Sequence, residues 1–235
     1  MRTQYVSVEQ VHLWWWNLDD AAAVDPSTMS SDEHDRAQRF RFERDRLRYV
    51  CGRTTLRMIV GAYISIAPQD LRFDYGPQEK PVVRGADVHF NLAHSGSVAV
   101  LAVARKELGV DVEVVRRGFA DDEIAERFFA PTEIVQLRRL PQAAQEAAFF
   151  RCWTRKEAYL KALGGGLSLP LDAFTVEFAN EGLTPRITSD NLHPDATTRW
   201  NIFDVSQTAR QFMNESIVAA VVADSAVTEI VVSQR

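Results

Sequence analysis

Three carboxylates and one amine in this sequence stand at spacings that suit a reaction on a phosphate ester. Asp111 and Glu113 are separated by one residue at the end of a β-type run. Side chains alternate between faces along a strand, so these two carboxylates share a face. Glu157 and Lys161 lie one turn apart in a helix-like segment and also share a face. If that strand and helix are adjacent, the carboxylates converge as hard oxygen ligands for Mg²⁺, with the lysine amine beside them.

Each part of this group also has a plainer interpretation. Asp111 and Glu113 alone could be the solvated end of a strand, although two carboxylates on one face repel each other unless a cation neutralises them. Glu157 and Lys161 alone could be a surface ion pair, which contributes roughly 0.2–0.5 kcal/mol. The apolar wall of the same helix, which includes Trp153, would partly desolvate that pair and argues against a purely surface position.

Other polar residues could bind a phosphate-bearing ligand. His94 and Ser95 stand in a predicted turn, where backbone N–H groups, a hydroxyl and an imidazole suit a phosphate. A lone histidine in a hairpin turn could equally be structural. Lys80 precedes a proline after a predicted turn, and Arg53 follows a glycine on a long helical segment. The eight arginines between positions 36 and 57 mainly indicate a solvated helix face, with a subset available for an anion pocket.

Composition limits the possible function classes. The 235 residues are 46% apolar and 25% charged, which is typical of a globular protein, and the net charge of −5 gives no reason to expect a nucleic-acid partner. The only two cysteines, Cys51 and Cys152, form no disulfide framework and no zinc motif. No apolar run reaches the roughly 18 residues of a membrane span, so we expect neither membrane partner nor signal peptide, and a cytoplasmic location.

The periodicity predicts an α+β protein in which the order of a long helix followed by strands occurs twice. Ser30 followed by Glu33 fits a capping box, so a helix is expected from Ser30 onward. Further helices are expected over 43–66, 121–129, 132–140 and 142–163. Strands are expected over 5–18, 71–75, 88–93, 98–104, 109–115, 173–179, 200–205, 217–223 and 228–232.

Breaks of hairpin length on both sides of 98–104 predict an antiparallel meander with 88–93 and 109–115. The duplicated order predicts an N-terminal half, 1–106, and a C-terminal half, 107–235. A ligand cleft between two such halves is the ordinary expectation.

Six short segments carry most of the polar residues considered above. They are Gly52-Arg53, Gly-Pro-Gln-Glu-Lys-Pro (76–81), Phe-Asn-Leu-Ala-His-Ser-Gly (90–96), Gly-Val-Asp-Val-Glu (109–113), Arg-Phe-Phe (127–129) and Trp-Thr-Arg-Lys-Glu-Ala-Tyr-Leu-Lys-Ala-Leu-Gly-Gly-Gly-Leu (153–167). In this order and spacing, across roughly residues 30–180, they resemble the 4′-phosphopantetheinyl transferases of the large, single-chain, Sfp-type class.

The resemblance implies two similar α+β halves related by a pseudo-twofold, with the active site between them. It implies Mg²⁺-dependent transfer of 4′-phosphopantetheine from coenzyme A to a serine of an acyl or peptidyl carrier protein. The implied metal ligands are Asp111, Glu113 and Glu157, and the implied catalytic residues are Glu157 and Lys161. The implied coenzyme A contacts are Arg48, Arg53, Lys80, Asn91, His94, Ser95, Asp111 and Lys161.

The sequence departs from the family pattern at two positions. Ala93 stands where the family often has serine, which removes one hydroxyl contact to coenzyme A. Glu33 stands about where a cationic residue is often found, which leaves the contacts to the adenine end open.

The carrier is expected to dock on the stretch 119–140, which lies between the two metal-bearing segments. The residues considered for this dock are Arg127, Phe128, Phe129, Arg138 and Arg139. An ordinary amphipathic helix pair is the alternative interpretation of this stretch. A monomer is expected because both halves are on one chain.

Two other functions remain open from the sequence. One is a Mg²⁺-dependent phosphohydrolase or nucleotidyl transferase that uses the same carboxylates. The other is a non-catalytic module that binds coenzyme A or a carrier protein.

Overall fold

The computed structural model describes residues 4–20, 24–76, 80–115, 122–164, 169–179, 185–213 and 215–234. In these ranges the helices are α1 (Ser31–Gln38), α2 (Glu43–Ile64), α3 (Asp122–Phe128), α4 (Pro131–Arg139), α5 (Gln142–Leu163), α6 (Ala196–Arg199) and α7 (Ser206–Arg210). The strands are β1 (Gln10–Asn17), β2 (Asp74–Tyr75), β3 (Pro81–Val82), β4 (His89–Ser95), β5 (Val98–Ala104), β6 (Leu108–Val114), β7 (Phe174–Val176), β8 (Ile187–Asp190), β9 (Trp200–Asp204), β10 (Ile217–Asp224) and β11 (Glu229–Gln234). The predicted α+β class is confirmed.

Two sheets lie face to face between the two long helices. The first sheet has the strand order β11-β1-β5-β4 and the second β6-β10-β9. Leu13 of the first sheet and Val110 and Val221 of the second belong to one buried cluster between them. Helix α2 covers the outer face of the first sheet, and α5 covers the outer face of the second. Strand β5 is buried at every position because both of its faces are covered.

The predicted three-stranded meander is wrong in its last strand. β4 and β5 form the expected antiparallel hairpin, but β6 pairs with β10 in the second sheet. The turn after β5 has the length of a hairpin but carries the chain from one sheet to the other. Local alternation identified β6 as a strand, and nothing in that pattern specifies its partner.

Strand β11 also crosses between the sheets. It follows β10 of the second sheet, yet it pairs in parallel with β1 of the first, with Val11 opposite Ile230. The first sheet is therefore built partly from the range 107–235 that was predicted for the C-terminal half.

Side chains of β4 bridge the edges of the two sheets. The Asn91 Oδ1 atom accepts a hydrogen bond from the Val110 N–H at 2.9 Å. The Ser95 Oγ atom accepts one from the Val114 N–H at 3.1 Å. The two bridges have the same offset along the chain, so β4 and β6 run side by side in the same direction. At this edge, side-chain oxygens of β4 accept the hydrogen bonds from β6 N–H groups that backbone carbonyls would accept inside a sheet.

Strand β6 and helix α5 approach each other so closely that only glycine fits at position 109. A Cβ atom at Gly109 would lie 2.1 Å from the carbonyl oxygen of Ala158 and 2.4 Å from the nitrogen of Ala162. The helix also has small side chains at these positions, which favours a close approach of backbone to backbone. This contact sets Glu157 and Lys161 against the carboxylates of β6.

A buried ion pair ties the short helix α1 to the long helix α2. Glu33, in the first turn of α1, accepts hydrogen bonds from the Ser30 N–H at 3.0 Å and from Arg57 Nε at 2.6 Å. Arg57 also donates to the carbonyl of Leu71 at 3.1 Å. The predicted capping box at Ser30 is therefore present, and its glutamate also neutralises a buried arginine.

The second half contains an equivalent arrangement. Glu133, in the first turn of α4, accepts a hydrogen bond from the Ala130 N–H at 2.9 Å and pairs with Lys156 Nζ of α5 at 2.7 Å. Lys156 also donates to the carbonyl of Leu171 at 2.8 Å. Both pairs are buried, and removing one partner of such a pair is strongly destabilising because the other charge remains. The two halves thus share an interaction as well as an element order.

We predict that Gly109→Ala lowers the free energy of unfolding by about 2 kcal/mol or more, since overpacking of a core typically costs about 1–3 kcal/mol and the clash here is with backbone atoms. Chemical denaturation followed by circular dichroism measures the effect. Gly76→Ala is the matched control because a Cβ there meets nothing within 4 Å. Equal stability of the two variants would contradict the close approach.

Candidate active site

The three predicted metal ligands line one cavity of about 640 Å³ beside α5, which we call the carboxylate cavity. Asp111 and Glu113 lie on the face of β6 that α5 covers, since the alternate residues Val110 and Val112 point into the core between the sheets. Glu157 reaches the cavity from α5. The predicted convergence of strand and helix is therefore present in the structure.

The amine of Lys161 contacts the first of these carboxylates, Asp111. Lys161 Nζ donates to Asp111 Oδ1 at 2.6 Å. Burial raises the pKa of the Asp111 carboxyl, and the positive charge of Lys161 lowers it in part. This neighbour keeps a negative charge tolerable at a position that is almost fully shielded from water.

The Glu157 carboxyl can gain or lose a proton near neutral pH. Burial, followed by the negative charges of Asp111 and Glu113, raises the pKa of the Glu157 carboxyl from 4.5 to about 7. Lys161 acts in the opposite direction. A carboxyl whose pKa lies near the working pH has the property expected of a general base.

The donor set fits a hard divalent cation. Asp111 Oδ2 and Glu157 Oε1 are buried oxygens that have no hydrogen-bond partner among the described residues. Buried carboxylate oxygens without partners are unfavourable unless a cation or a donor satisfies them. As placed, no three His, Cys, Asp or Glu side chains within the described ranges are arranged to hold a metal ion. The carboxylates would therefore have to draw closer together to bind a cation. In the present arrangement Glu113 Oε2 accepts a hydrogen bond from Ser95 at 2.7 Å.

A second cavity of about 850 Å³ lies over α1, α2 and β4. Four of the predicted coenzyme A residues line it: Arg48, Arg53, Asn91 and His94. Partial desolvation, then the positive charges of Lys161 and Arg48, lower the pKa of His94, while Asp111 raises it. Because His94 is within electrostatic reach of Lys161 and Asp111, the two cavities are neighbours.

Two arginines of this cavity already have acidic or phenolic partners. Arg48 forms a two-point pair with Asp19, with distances of 2.6 and 2.7 Å. Arg53 pairs with Glu33 and donates to the Tyr75 hydroxyl at 3.0 Å. Glu33 is thus committed to internal ion pairs, which explains how a glutamate is accommodated where the resemblance suggested a cation.

Two residues predicted to contact coenzyme A, Lys80 and Ser95, form hydrogen bonds to other groups of the protein. Lys80 Nζ donates to the carbonyls of Leu108 and Lys161 at 2.9 and 2.7 Å. Burial lowers the pKa of that amine to about 8. The Ser95 hydroxyl contacts Glu113 and the backbone of β6. Neither residue is among those that line the larger cavity, and their contact with coenzyme A stays a prediction.

The predicted carrier dock needs one correction. Phe129 is buried to 1% exposure and packs on Phe149 with ring centroids 5.2 Å apart, so it belongs to the core and not to a surface. Phe128 stacks edge-on against Trp153 and lines the carboxylate cavity. Arg138 is exposed and pairs with Glu126. Residues 119–121 of the predicted stretch lie outside the described ranges.

Sequence reasoning missed several residues of the two sites. Tyr49 and Tyr75 line the larger cavity, and Trp153 was assigned only to a core stripe. The position of Tyr75 immediately before the segment 76–81 was an available signal. Lys156 and Glu133 were not singled out, because an ion pair between distant segments leaves no local pattern.

Two family models match the sequence over most of its length. The model described as 4′-phosphopantetheinyl transferase, N-terminal, matches residues 15–106, and the model described as 4′-phosphopantetheinyl transferase superfamily matches residues 107–222. The chain belongs to the 4′-phosphopantetheinyl transferase superfamily. The resemblance drawn from the six segments is confirmed.

Individual relatives support the same enzyme class. The 4′-phosphopantetheinyl transferase HetI of Nostoc sp. is 42% identical over 172 residues, which cover 68% of this chain and 71% of that protein. The 4′-phosphopantetheinyl transferase psf-1 of Bacillus pumilus is 37% identical over 155 residues, or 66% of each chain. The 4′-phosphopantetheinyl transferase Sfp of Bacillus subtilis is 32% identical over 157 residues, which cover 66% of this chain and 69% of that protein.

The raised pKa of Glu157 predicts a pH dependence of stability. Between about 4.5 and about 7 the folded protein binds more protons at this carboxyl than the unfolded chain does. The free energy of unfolding must therefore fall as pH rises through that window, by roughly 1.4 kcal/mol for each unit of pKa shift at most. We expect the free energy of unfolding to fall less steeply with pH in Glu157→Gln. Part of the fall should remain, because the pKa of Asp111 is also raised.

Chemical denaturation at a series of pH values, with EDTA present, measures this slope. Glu146→Gln is the control because Glu146 lies near the start of the same helix and outside the cavity. An unchanged slope in Glu157→Gln would show that this carboxyl is not the group held protonated by its surroundings.

Proposed function

We propose that this protein transfers 4′-phosphopantetheine from coenzyme A to a serine of an acyl or peptidyl carrier protein in a Mg²⁺-dependent reaction. The observation that carries the proposal is the contact of Lys161 with Asp111, which lines one cavity together with Glu113 and Glu157. That group lies next to a larger cavity edged by arginines and a histidine. A cluster of carboxylates for a metal, next to a cavity that presents guanidinium groups, suits a substrate that carries both a pyrophosphate and a further phosphate.

Coenzyme A would lie across both cavities. Arg48, Arg53, Asn91 and His94 would contact its 3′-phosphate and adenosine portion, since guanidinium groups bind phosphate oxygens in a two-point geometry. To bind the ligand, Arg48 and Arg53 would give up some of their present hydrogen bonds to Asp19 and Glu33. The pyrophosphate would then lie between His94 and Lys161.

The metal would be held by Asp111, Glu113 and Glu157, whose oxygens are ligands that Mg²⁺ prefers. When bound, Mg²⁺ would neutralise the charge of the pyrophosphate, which grows on the departing 3′,5′-ADP in the transition state. Two buried carboxylate oxygens without partners support this assignment.

Glu157 would act as the general base toward the carrier serine, directly or through a water. The serine oxygen forms a bond to the phosphorus that bears pantetheine, and the bond from that phosphorus to the 3′,5′-ADP oxygen breaks. The serine proton passes to Glu157 or to a water that Glu157 holds. Without a metal the pKa of Glu157 is raised to about 7, and bound Mg²⁺ would lower it and so favour the ionised carboxylate before the step. Lys161 screens or protonates the departing oxygen.

The carrier would approach along α3 and α4, beside the opening of the carboxylate cavity. Arg127 and Phe128 line that cavity, and Val135, Arg138 and Arg139 are exposed on α4. Carrier proteins are usually acidic and present an apolar patch beside the serine, which this basic and partly apolar surface complements. A monomeric protein in the cytoplasm, where both cysteines remain reduced, is part of this proposal.

The decisive experiment incubates the protein with coenzyme A, Mg²⁺ and an apo carrier and measures the intact mass of the carrier. A mass gain of one phosphopantetheine supports the transferase, and EDTA should abolish it. Release of phosphate or nucleotide without a mass gain would instead indicate the phosphohydrolase or nucleotidyl transferase. Retention of coenzyme A with no products would indicate a binding module.

In the same assay we expect Glu157→Gln and Lys161→Ala each to lose at least about 10²-fold in turnover, since general acid–base help is worth roughly 10²–10⁴-fold. Circular dichroism should show an intact fold in both variants. Lys106→Ala, in the turn after β5 and outside both cavities, is the control for loss of a lysine. Near-full turnover of Lys161→Ala at saturating coenzyme A would remove its assigned role.

For the carrier surface, we expect the charge reversal Arg138→Glu with Arg139→Glu to raise the KM for an acidic carrier several-fold and leave the KM for coenzyme A unchanged. Steady-state kinetics with each substrate varied in turn separates the two constants. Arg199→Glu, on an exposed arginine away from α4, is the matched control. A carrier KM that stays at the wild-type value would place the dock elsewhere.

A further inference from the structure

Ser95 connects the strand of the larger cavity to a carboxylate of the smaller one. It is the last residue of β4 and is 9% exposed. Its hydroxyl donates to Glu113 Oε2 at 2.7 Å and accepts from the Val114 N–H at 3.1 Å. A serine hydroxyl has a single proton, so the bond from the backbone N–H directs that proton toward the carboxylate. The direction of the contact is therefore fixed by the protein itself.

Glu113 is held differently from the other two carboxylates. Asp111 is buried and held by Lys161, and Glu157 is restrained on a helix packed against β6. Glu113 stands near the end of its strand and is less buried than Asp111. A long side chain in that position loses rotamer freedom when it is fixed, and a hydrogen bond made beforehand reduces this cost.

We propose that Ser95 is a positioning residue that restrains the Glu113 carboxylate at the cavity it shares with Asp111 and Glu157, where it is available to a metal. This inference rests on the proposed function, in which Glu113 is a ligand. The hydroxyl acts through Glu113 and does not contact the metal or coenzyme A. Outer partners of metal ligands typically change affinity by about 10–100-fold when they are removed.

A direct contact of Ser95 with a phosphate is the competing interpretation. The hydroxyl already uses its proton on Glu113, and Ser95 is not among the residues that line the larger cavity. Asn91 makes the equivalent bridge to Val110 without touching a carboxylate of the site. Bridging the two sheets therefore does not itself require the contact with Glu113.

The test measures Mn²⁺ binding by the loss of the free-ion electron paramagnetic resonance signal, with coenzyme A present and no carrier. We expect Ser95→Ala to weaken binding by about 10-fold and Ser95→Thr, which keeps a hydroxyl, to restore most of it. Ser97→Ala is the matched control, since Ser97 lies two residues away and contacts Glu215 at 3.3 Å. If Ser95→Ala does not fold, Ser95→Cys takes its place in the test, because a thiol is similar in size to the hydroxyl but is a weak hydrogen-bond donor.

A double-mutant cycle with Glu113→Gln separates positioning from a general loss of structure. If Ser95 acts through Glu113, Ser95→Ala should have no further effect on Mn²⁺ affinity in the Glu113→Gln background. Wild-type affinity in Ser95→Ala, or an equal loss with and without Glu113, would overturn the inference. Absence of Mn²⁺ binding by the wild type would be a different result, because it would remove the proposed metal site and with it the inference.

Discussion

The close approach of helix α5 to strand β6 is the constraint on which the site depends. Gly109 permits it, since any larger residue would meet the backbone of Ala158 and Ala162. With the two backbones this near, a short strand carboxylate and a helical lysine reach each other at 2.6 Å. The same proximity places Glu157 beside two other carboxylates in a partly dry environment and raises its pKa to about 7. Packing therefore produces the electrostatics of the site.

The two halves use one framework for different tasks. In each, a glutamate in the first turn of a short helix neutralises a buried cation of the long helix, and that cation also binds the carbonyl of a leucine. Around this shared interaction the first half places arginines and a histidine at a cavity, while the second places carboxylates. In the proposed function, anion recognition and metal binding would thus be separated between the two halves and would meet where their sheets adjoin.

The sequence predicted local elements well where chemical signals mark their ends. Helix α5 runs over 142–163 as predicted, between Pro141 and the left-handed Gly164. Strand β5 also has its predicted bounds, because an apolar run is flanked by a turn on each side. The convergence of Asp111 and Glu157 followed from side-chain periodicity together with the family resemblance.

Long-range pairing could not be predicted in the same way. The partner of β6, the crossing of β11 and the contacts of Lys80 and Ser95 all join residues far apart in sequence, and no local pattern encodes them. Phe129 was misplaced on a surface because an aromatic residue at a helix end has the same sequence pattern whether it is buried or exposed. Glu33 was recognised as a cap, but its two arginine partners lie on another helix.

The parallel pairing of β11 with β1 has a consequence for how the chain folds during synthesis. The first sheet receives its outer strand, β11, only after the second half has been synthesised. Until then, the edge of β1 that pairs with β11 has no partner strand. Open strand edges invite pairing with other chains. The first sheet can therefore be completed only after both halves have been synthesised, and its completion joins them although their element order is duplicated.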